Sequence, residues 1–196
     1  MDTFDGDYVM TDDVWEELVW VWGRTDAPKG CKVEIVDGIV IVTPLSAISH
    51  HVIAETLTRH VYGVIPRDRG VYQRLALAVP TRLGLYMPDL AVVREEELRT
   101  SGDTLVPAGS AELVVEITSK ATAHNDRVLK AVGYAAAGVP LYLLIDGWAP
   151  GGPVITLYGE PHGCAYRILS ACAFGDPMAL PQPFGLTLDT GGFPAP

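Results

Sequence analysis

The chain has 196 residues, of which 48% are hydrophobic and only three are cysteine, and its formal net charge is −10. This length and composition predict one folded domain over residues 1–196. The three cysteines have no CxxC spacing, which argues against a disulfide framework or a structural zinc site and favours a reducing compartment. The acidic charge counts against broad, non-specific nucleic-acid binding, in which lysine and arginine neutralise phosphates.

The N-terminal segment MDTFDGDYVM is acidic and has no signal pattern, and no apolar run in the chain reaches the roughly eighteen residues of a membrane span. We therefore expect a cytoplasmic protein with no membrane partner. The first periodic segment, Asp13–Trp22, has apolar residues at helical spacing and predicts a helix. Its tryptophans are interpreted as core residues.

A hairpin is predicted in the segment KVEIVDGIVIVTP. Asp37-Gly38 lies between two alternating apolar runs, and this pair tolerates the positive φ angles of a type I′ turn. Glu34 shares a face with Val36, because side chains two positions apart lie on the same side of a strand. The pattern alone favours Glu34 as the solvent-facing residue of an edge strand.

A second helix is predicted at Ser46–Val64, which carries an apolar stripe. Within it, His51 and Glu55 are four positions apart and face the same way. No third ligand follows at metalloprotease spacing, so the pattern favours an exposed ion pair over a zinc site.

The remaining elements are predicted from apolar periodicity and turn residues. In order they are strands at Val71–Val79, Leu85–Val93 and Glu112–Thr118, a helix at Ala123–Ala137 ending at Gly138, a strand at Leu141–Asp146, and a hairpin of Val154–Tyr158 with Ala165–Leu169. The polar segment REEELRTSGDTLVPAGS is expected to be a surface loop, and the tail from Asp176 irregular. This order predicts an α/β fold with a mixed central sheet flanked by helices.

Two carboxylates interrupt apolar strands in this pattern. Asp89 follows Pro88 in LYMPDLAVV, and Glu116 follows two valines in AELVVEITSK. Burying a lone ionised carboxylate inside a sheet costs on the order of several kcal/mol of folding free energy unless the carboxylate is paired or bound to a cation. Two of them on adjacent strands suit a hard divalent cation such as Mg²⁺, which prefers oxygen ligands.

The helix after Glu116 offers a cation near these acids. Asp126, Lys130 and Tyr134 are spaced by four and share one helical face. Lys130 either forms a surface ion pair with Asp126 or points across to the carboxylates, where it could orient an attacking water and offset charge in a phosphoryl transition state. The spacing leaves both arrangements open.

Several motifs occur together in a characteristic order: VEIVDGIVIVTP, SAISHH opening a helix, MPDLAVV, LVVEITSKAT and DRVLKAVGYAAAGVPLYLLID. This ordered set resembles the Uma-type "putative restriction endonuclease" family, which is widespread in bacteria and belongs to the PD-(D/E)xK nuclease superfamily. The resemblance extends over about residues 13–189. It implies a restriction-endonuclease-like core, with a mixed sheet and a Mg²⁺ or Mn²⁺ site on its central strands.

Carried over by position, the resemblance implies that Asp89 and Glu116 are the metal ligands. It also implies catalytic roles for Glu34, as the early glutamate of the family, and for Lys130, as the lysine of the following helix. The accessory residues implied in the same way are His50, Asp126 and Tyr134.

One position departs from the superfamily pattern. The usual lysine lies two residues after the second acid, where this chain has Thr118. Lys130 from the helix is one candidate substitute, and Lys120, just past the strand, is another. If neither amine reaches the site, the resemblance still implies the fold but no longer implies hydrolysis.

Three functions follow as hypotheses. The first is a Mg²⁺-dependent endonuclease acting on DNA, in which the Ile117 carbonyl adds an oxygen ligand and Lys130 positions water. The second is a non-catalytic nuclease fold used for binding or assembly, which the acidic charge and Thr118 favour. The third is a metal-dependent hydrolase of a small phosphorylated or carbonyl substrate. A homodimer is compatible with the first, because acting on two strands often uses two sites.

Overall fold

The computed structural model describes residues 13–44, 46–101 and 105–194; residues 1–12, the segment without a signal pattern, lie outside them. In chain order the elements are α1 (Val14–Arg24), β1 (Lys32–Val36), β2 (Ile39–Thr43), α2 (Ile48–Tyr62), β3 (Arg69–Tyr72), β4 (Leu77–Val79), β5 (Gly84–Tyr86), β6 (Leu90–Arg94), α3 (Glu95–Thr100), β7 (Val106–Pro107), β8 (Ala111–Ile117), a π-helical segment (Asn125–Lys130) that continues into α4 (Ala131–Ala136), β9 (Leu141–Asp146), β10 (Val154–His162), β11 (Ala165–Ala173), β12 (Met178–Leu180) and β13 (Leu186–Leu188). Short 3₁₀ turns occur at Pro80–Arg82 and Ala108–Ser110. No helix in these described ranges is long and apolar enough to cross a membrane.

The central sheet has six strands in the order β11-β10-β9-β8-β6-β3. Strands β8 and β9 are parallel, as expected for neighbours joined by a helical crossover, and the other pairs are antiparallel. A smaller sheet has the order β2-β1-β5-β4-β7. The predicted α/β fold with a mixed central sheet and flanking helices is therefore confirmed.

Alternating residues of the central strands serve two separate cores. On β8, Leu113, Val115 and Ile117 face the helix α2, which contributes Ile53 and Leu57 to the same cluster. Val114 faces the opposite side, in a cluster with side chains of α4 and of the smaller sheet. Because side chains on a strand alternate, Glu116 lies on the second face with Val114. The sheet thus directs its one buried β8 carboxylate towards the crossover helix and the smaller sheet.

The hairpin turn forms as predicted. Asp37 and Gly38 both have positive φ, 50° and 78°, as a type I′ turn requires. The helix end at Gly138 is also confirmed, since Gly138 has φ 76° and its N–H donates to the Ala135 carbonyl, while the Val139 N–H donates to Tyr134. This pair of bonds is a Schellman motif, which satisfies carbonyls at a helix end.

Two predicted strands are each divided between the two sheets. Val71–Val79 is split into β3 and β4, and Leu85–Val93 is split into β5 and β6. The chain crosses from one sheet to the other at residues 73–76 and returns at residues 87–89. The choice of sheet on either side of each crossing depends on strand partners that are distant in the sequence.

Other differences are smaller. The predicted polar loop contains α3, and its residues 102–104 lie outside the description. The tail expected to be irregular forms the antiparallel pair β12–β13, which closes the core under α2. The terminal hairpin is longer than predicted. Trp15 and Trp22 of α1 are partly buried and pack against residues of β1 and β5, and Trp22 Nε1 donates to the Val33 carbonyl at 2.8 Å.

Candidate active site

A cavity of about 370 Å³ opens where α2, the β1–β2 hairpin and the end of β8 meet. Asp89 and Glu116 both line it, together with Lys32 and His50. The two predicted acidic ligands are therefore brought to one space, although they are distant in the sequence.

The antiparallel pairing of β6 with β8 sets the position of Asp89. Leu90 pairs with Val115, so Asp89 lies at the start of β6, beside the Glu116 end of β8. The Asp89 N–H donates to the Val115 carbonyl at 3.1 Å, and the Ile117 N–H donates to Asp89 Oδ2 at 2.7 Å. The first bond fixes the Asp89 backbone against β8, and the second fixes its carboxyl group.

Lys130 points into the carboxylates. Its Nζ lies 2.9 Å from Glu34 Oε1, 3.0 Å from Glu116 Oε1 and 3.2 Å from Asp126 Oδ1, and its side chain is 1% exposed. The interpretation of Asp126–Lys130 as a surface ion pair is wrong, because both residues are buried. The π-helical segment supplies this geometry, and such widened turns frequently occur at functional sites.

Tyr134 completes the contacts of Glu116, donating from its hydroxyl to Oε1 at 2.8 Å. Lys130 and Tyr134 lie four positions apart on the helical face that packs against the sheet. One oxygen of Glu116 therefore accepts from two buried donors, while Oε2 lies 4.0 Å from Lys32 Nζ.

Glu34 is a member of this cluster, and its assignment to the solvent face of an edge strand is wrong. The residue is 2% exposed, because β1 lies between β2 and β5 in the smaller sheet. The Met87 N–H donates to Glu34 Oε1 at 2.7 Å. Burial alone would raise the pKa of Glu34, but Lys130, Lys32 and this hydrogen bond hold the pKa below its usual value.

His50 contacts the other acid. Its Nε2 lies 2.9 Å from Asp89 Oδ1, in the first turn of α2. Burial would raise the pKa of Asp89, but the hydrogen bond from His50 and the charge of Lys32 lower it. The expected His51–Glu55 ion pair is not formed: Glu55 pairs with Arg59 instead, one turn further along α2.

Lys32 is a site residue that the sequence analysis missed. Its side chain is 14% exposed and lines the cavity, with Nζ 3.4 Å from Glu34 Oε2. Burial lowers the pKa of Lys32, but the charges of Glu116 and Glu34 more than compensate and raise it. The available signal was the strand period, since Lys32 is two positions before Glu34 and shares its face.

Thr118, which occupies the position of the absent lysine, and the two lysines proposed as substitutes lie in different places. Thr118 is directed at β9, where its Oγ1 donates to Asp146 Oδ1 at 2.9 Å. Lys120 is exposed in the loop after β8 and lines the cavity. Lys130 reaches Glu116, as described above. The cluster therefore receives its amines from β1 and from the crossover helix.

Acidic side chains outnumber basic ones in this cluster. Leaving His50 aside, four carboxylates meet two amines here; the acids are Glu34, Asp89, Glu116 and Asp126, and the amines are Lys32 and Lys130. Burial, only partly offset by Lys130 and Lys32, raises the pKa of Glu116 to about 8, and burial also raises the pKa of Asp126. The same acids raise the pKa of Lys130 well above its usual value, although burial opposes this.

The donor chemistry fits a hard divalent cation with water in most of its coordination sphere. Within the described residues, no group of three or more His, Cys, Asp and Glu side chains is arranged to hold a metal. The carboxylates that line the cavity here are Asp89 and Glu116, with Ile117 beside them, and Mg²⁺ commonly binds through only one or two carboxylates. A double positive charge would also offset the excess of acids.

A crystal structure described as "a putative nuclease belonging to DUF820", from Anabaena variabilis ATCC 29413, is similar with a TM-score of 0.64 and 15% sequence identity, covering 90% of this chain and 94% of that one. No functionally curated protein matches the sequence. A likeness at this identity supports the fold alone. The family model Uma2, described as "Putative restriction endonuclease", matches residues 17–191, and the chain therefore belongs to the Uma2 family.

Proposed function

We propose that this protein is a nuclease that hydrolyses phosphodiester bonds in DNA with a divalent cation, Mg²⁺ or Mn²⁺. The observation that carries the proposal is the convergence of Asp89 and Glu116, from adjacent strands, on one cavity that also contains an amine, Lys32. Membership of a family described as "Putative restriction endonuclease" supports the same reaction class.

In this proposal, Asp89, Glu116 and the Ile117 carbonyl hold the cation. The cation supplies Lewis acidity at a phosphate oxygen and makes a nearby water a better nucleophile. The excess of carboxylates over amines favours its binding, because an uncompensated buried carboxylate is costly.

The remaining residues have roles that follow from their contacts. Lys130 and Tyr134 fix Glu116 Oε1, and Glu34 and Asp126 hold Lys130 in turn. Lys130 is therefore a positioning residue in this proposal. Lys32, which lines the cavity, is the amine that meets the phosphate and stabilises the negative charge that develops on it.

His50 orients Asp89 through its contact with Oδ1, while the Ile117 N–H fixes Oδ2. Each carboxylate oxygen has two lone pairs, so these contacts leave Asp89 able to bind a cation as well.

The test is to incubate the purified protein with plasmid, single-stranded and branched DNA in Mg²⁺ or Mn²⁺. Asp89→Ala and the isosteric Asp89→Asn should abolish cleavage. Glu112→Gln is the matched control, because Glu112 lies at the other end of β8 and pairs with Arg69 and Arg94 outside the cavity. Equal cleavage by the wild type and by both Asp89 variants would refute the assignment.

A second function is favoured by a specific observation, namely that Asp89 and Glu116 already accept hydrogen bonds from protein donors. In that case the fold serves as a non-catalytic binding or assembly module. Calorimetric titration separates the two functions: binding of Mn²⁺ at millimolar levels or below, lost in Asp89→Asn, supports the nuclease. Absence of Mn²⁺ binding together with intact DNA supports the module.

A further inference from the structure

A second cavity, of about 120 Å³, adjoins the first. The two share a wall that includes His50, Ile117 and Lys120. Beyond this wall, the second cavity is lined mainly by apolar side chains, among them Trp148 and Phe174. A molecule that placed one group beside Asp89 and Glu116 would therefore reach an aromatic pocket with its neighbouring group.

Trp148 is exposed on a backbone that is held in place. Its side chain belongs to the exposed large apolar residues, at 43%. Its N–H donates to Asp146 Oδ1 at 3.0 Å, and Arg127 Nη2 donates to its carbonyl at 2.7 Å. Arg127 also pairs with Asp146 itself, so three charged or polar contacts fix this short loop.

The anchoring matters because an aromatic platform loses less entropy on binding when its backbone is already fixed. A single exposed apolar residue is ordinary on a protein surface. Trp148 differs because it lines a concave site next to a cluster of catalytic-type groups. Its exposure is therefore best explained by a ligand with a flat, apolar face.

We propose that the second cavity binds an unpaired nucleobase next to the phosphate held at Asp89 and Glu116. Trp148 and Phe174 provide the aromatic surface for the base, and Lys120, on the shared wall, faces the connecting phosphate. The small volume suits one planar ring system and excludes a folded peptide segment.

This inference rests on the proposed function and specifies its substrate class as single-stranded DNA, or a nucleotide extruded from a duplex. A base inside a duplex is stacked on both sides and cannot enter a pocket beside the scissile phosphate. Proteins that bind single strands gain affinity from stacking bases on aromatic side chains. The net charge of −10 also favours a site with short-range stacking over one that tracks a long duplex by charge.

The test uses fluorescein-labelled pentathymidylate and a pentamer of abasic deoxyribose phosphates with the same charge. Binding is measured by fluorescence anisotropy in EDTA, and again in Mg²⁺ with Asp89→Asn, so that the probe stays intact. The protein with Trp148 should prefer the probe with bases by about tenfold, the effect expected from stacking one base. Trp148→Ala should remove this preference, and Trp148→Tyr should retain most of it.

Trp20→Ala is the control for the loss of a tryptophan, because Trp20 lies on α1 and contacts Arg24. It should keep the preference, and thermal melting of each variant checks that it folds. Equal binding of the two probes in both conditions, or a preference that persists in Trp148→Ala, would overturn the inference.

Cleavage assays make the failures distinguishable. If the protein cleaves DNA, Trp148→Ala should raise KM for a single-stranded substrate about tenfold and leave kcat within twofold. Cleavage that requires Asp89 but has an unchanged KM in Trp148→Ala refutes the base pocket and leaves the nuclease intact. A preference for bases that depends on Trp148, without any cleavage, refutes the nuclease and supports the pocket.

Discussion

Replacing Lys130 by methionine tests the buried cluster at the centre of the site. Methionine preserves most of the apolar volume of the side chain but removes the charge that lies within 3.2 Å of three carboxylates. Removing one partner of a buried ion pair costs about 3–5 kcal/mol, because the remaining charge is left without compensation.

The structure places the expected cost at the lower end of this range. Glu34 keeps its contacts with Lys32 and with the Met87 N–H, and Glu116 keeps the Tyr134 hydroxyl. We therefore expect the free energy of unfolding to fall by about 3 kcal/mol at pH 7. Lys120→Met, at an exposed position, should change it by less than about 0.5 kcal/mol.

The assay is urea unfolding followed by circular dichroism, with a double variant to isolate the pair. Glu116→Gln removes the carboxyl group that Lys130 contacts at 3.0 Å, so its combination with Lys130→Met should cost less than the sum of the two single changes. A loss below about 1 kcal/mol for Lys130→Met, which is the scale of an exposed ion pair, would refute the reasoning. Strict additivity would refute the direct coupling of Lys130 with Glu116.

Three further changes test other parts of the structure. Lys32→Met should lower kcat of DNA cleavage by about 10²-fold, since it removes a donor for the charge that develops in the transition state. Calorimetry should show that the affinity for Mn²⁺ is kept or increased, and a wild-type kcat would contradict the prediction. Burial would raise the pKa of Asp146, but hydrogen bonds from Arg127 and the other donors lower it. The pairing of Asp146 with Arg127 therefore stabilises the fold above the unfolded pKa of about 3.9, and this stabilisation is lost as the pH falls through the lower folded pKa. In urea unfolding, Arg127→Met should therefore cost about 2 kcal/mol at pH 6, and this cost should decrease progressively as the pH falls below about 3.9; a cost that does not change with pH in the acid range would be contrary to this linkage. Gly133→Ala should lower the midpoint of thermal melting by several degrees, because the added Cβ would overlap the Tyr86 hydroxyl, and an unchanged midpoint would show that Tyr86 moves freely.

The elements that could be predicted are those with a local cause. The turn at Asp37-Gly38 and the helix end at Gly138 follow from backbone preferences of the residues themselves, and the strand Leu141–Asp146 was predicted with the bounds it has. The crossings at residues 73–76 and 87–89 were not predicted. Their cause is tertiary, because the choice of sheet depends on partners that are distant in the sequence.

The same distinction applies to the site. Asp89 and Glu116 were recognised because a carboxylate in an apolar strand has a cost that the sequence itself reveals. Lys32 was missed because an amine in a hairpin is solvated by default, and only the folded structure brings it beside Glu34 and Glu116. The direction of Lys130 depended on which face of its helix packs on the sheet, which periodicity alone left open.

Thr118 stands at the position where the sequence resemblance implies a lysine, and its contacts fit the rest of this chain. Its hydroxyl donates to Asp146, the carboxylate that also binds Arg127 and the Trp148 N–H. A lysine at this position would bring an ammonium group next to the Arg127 guanidinium, and the repulsion would weaken the loop that holds Trp148. An amine could therefore be supplied to the acids at lower cost from β1 and the crossover helix, as Lys32 and Lys130 do. On this argument, the absence of a lysine at position 118 and the fixed aromatic platform have a common physical origin, and the absence does not by itself indicate a lost activity.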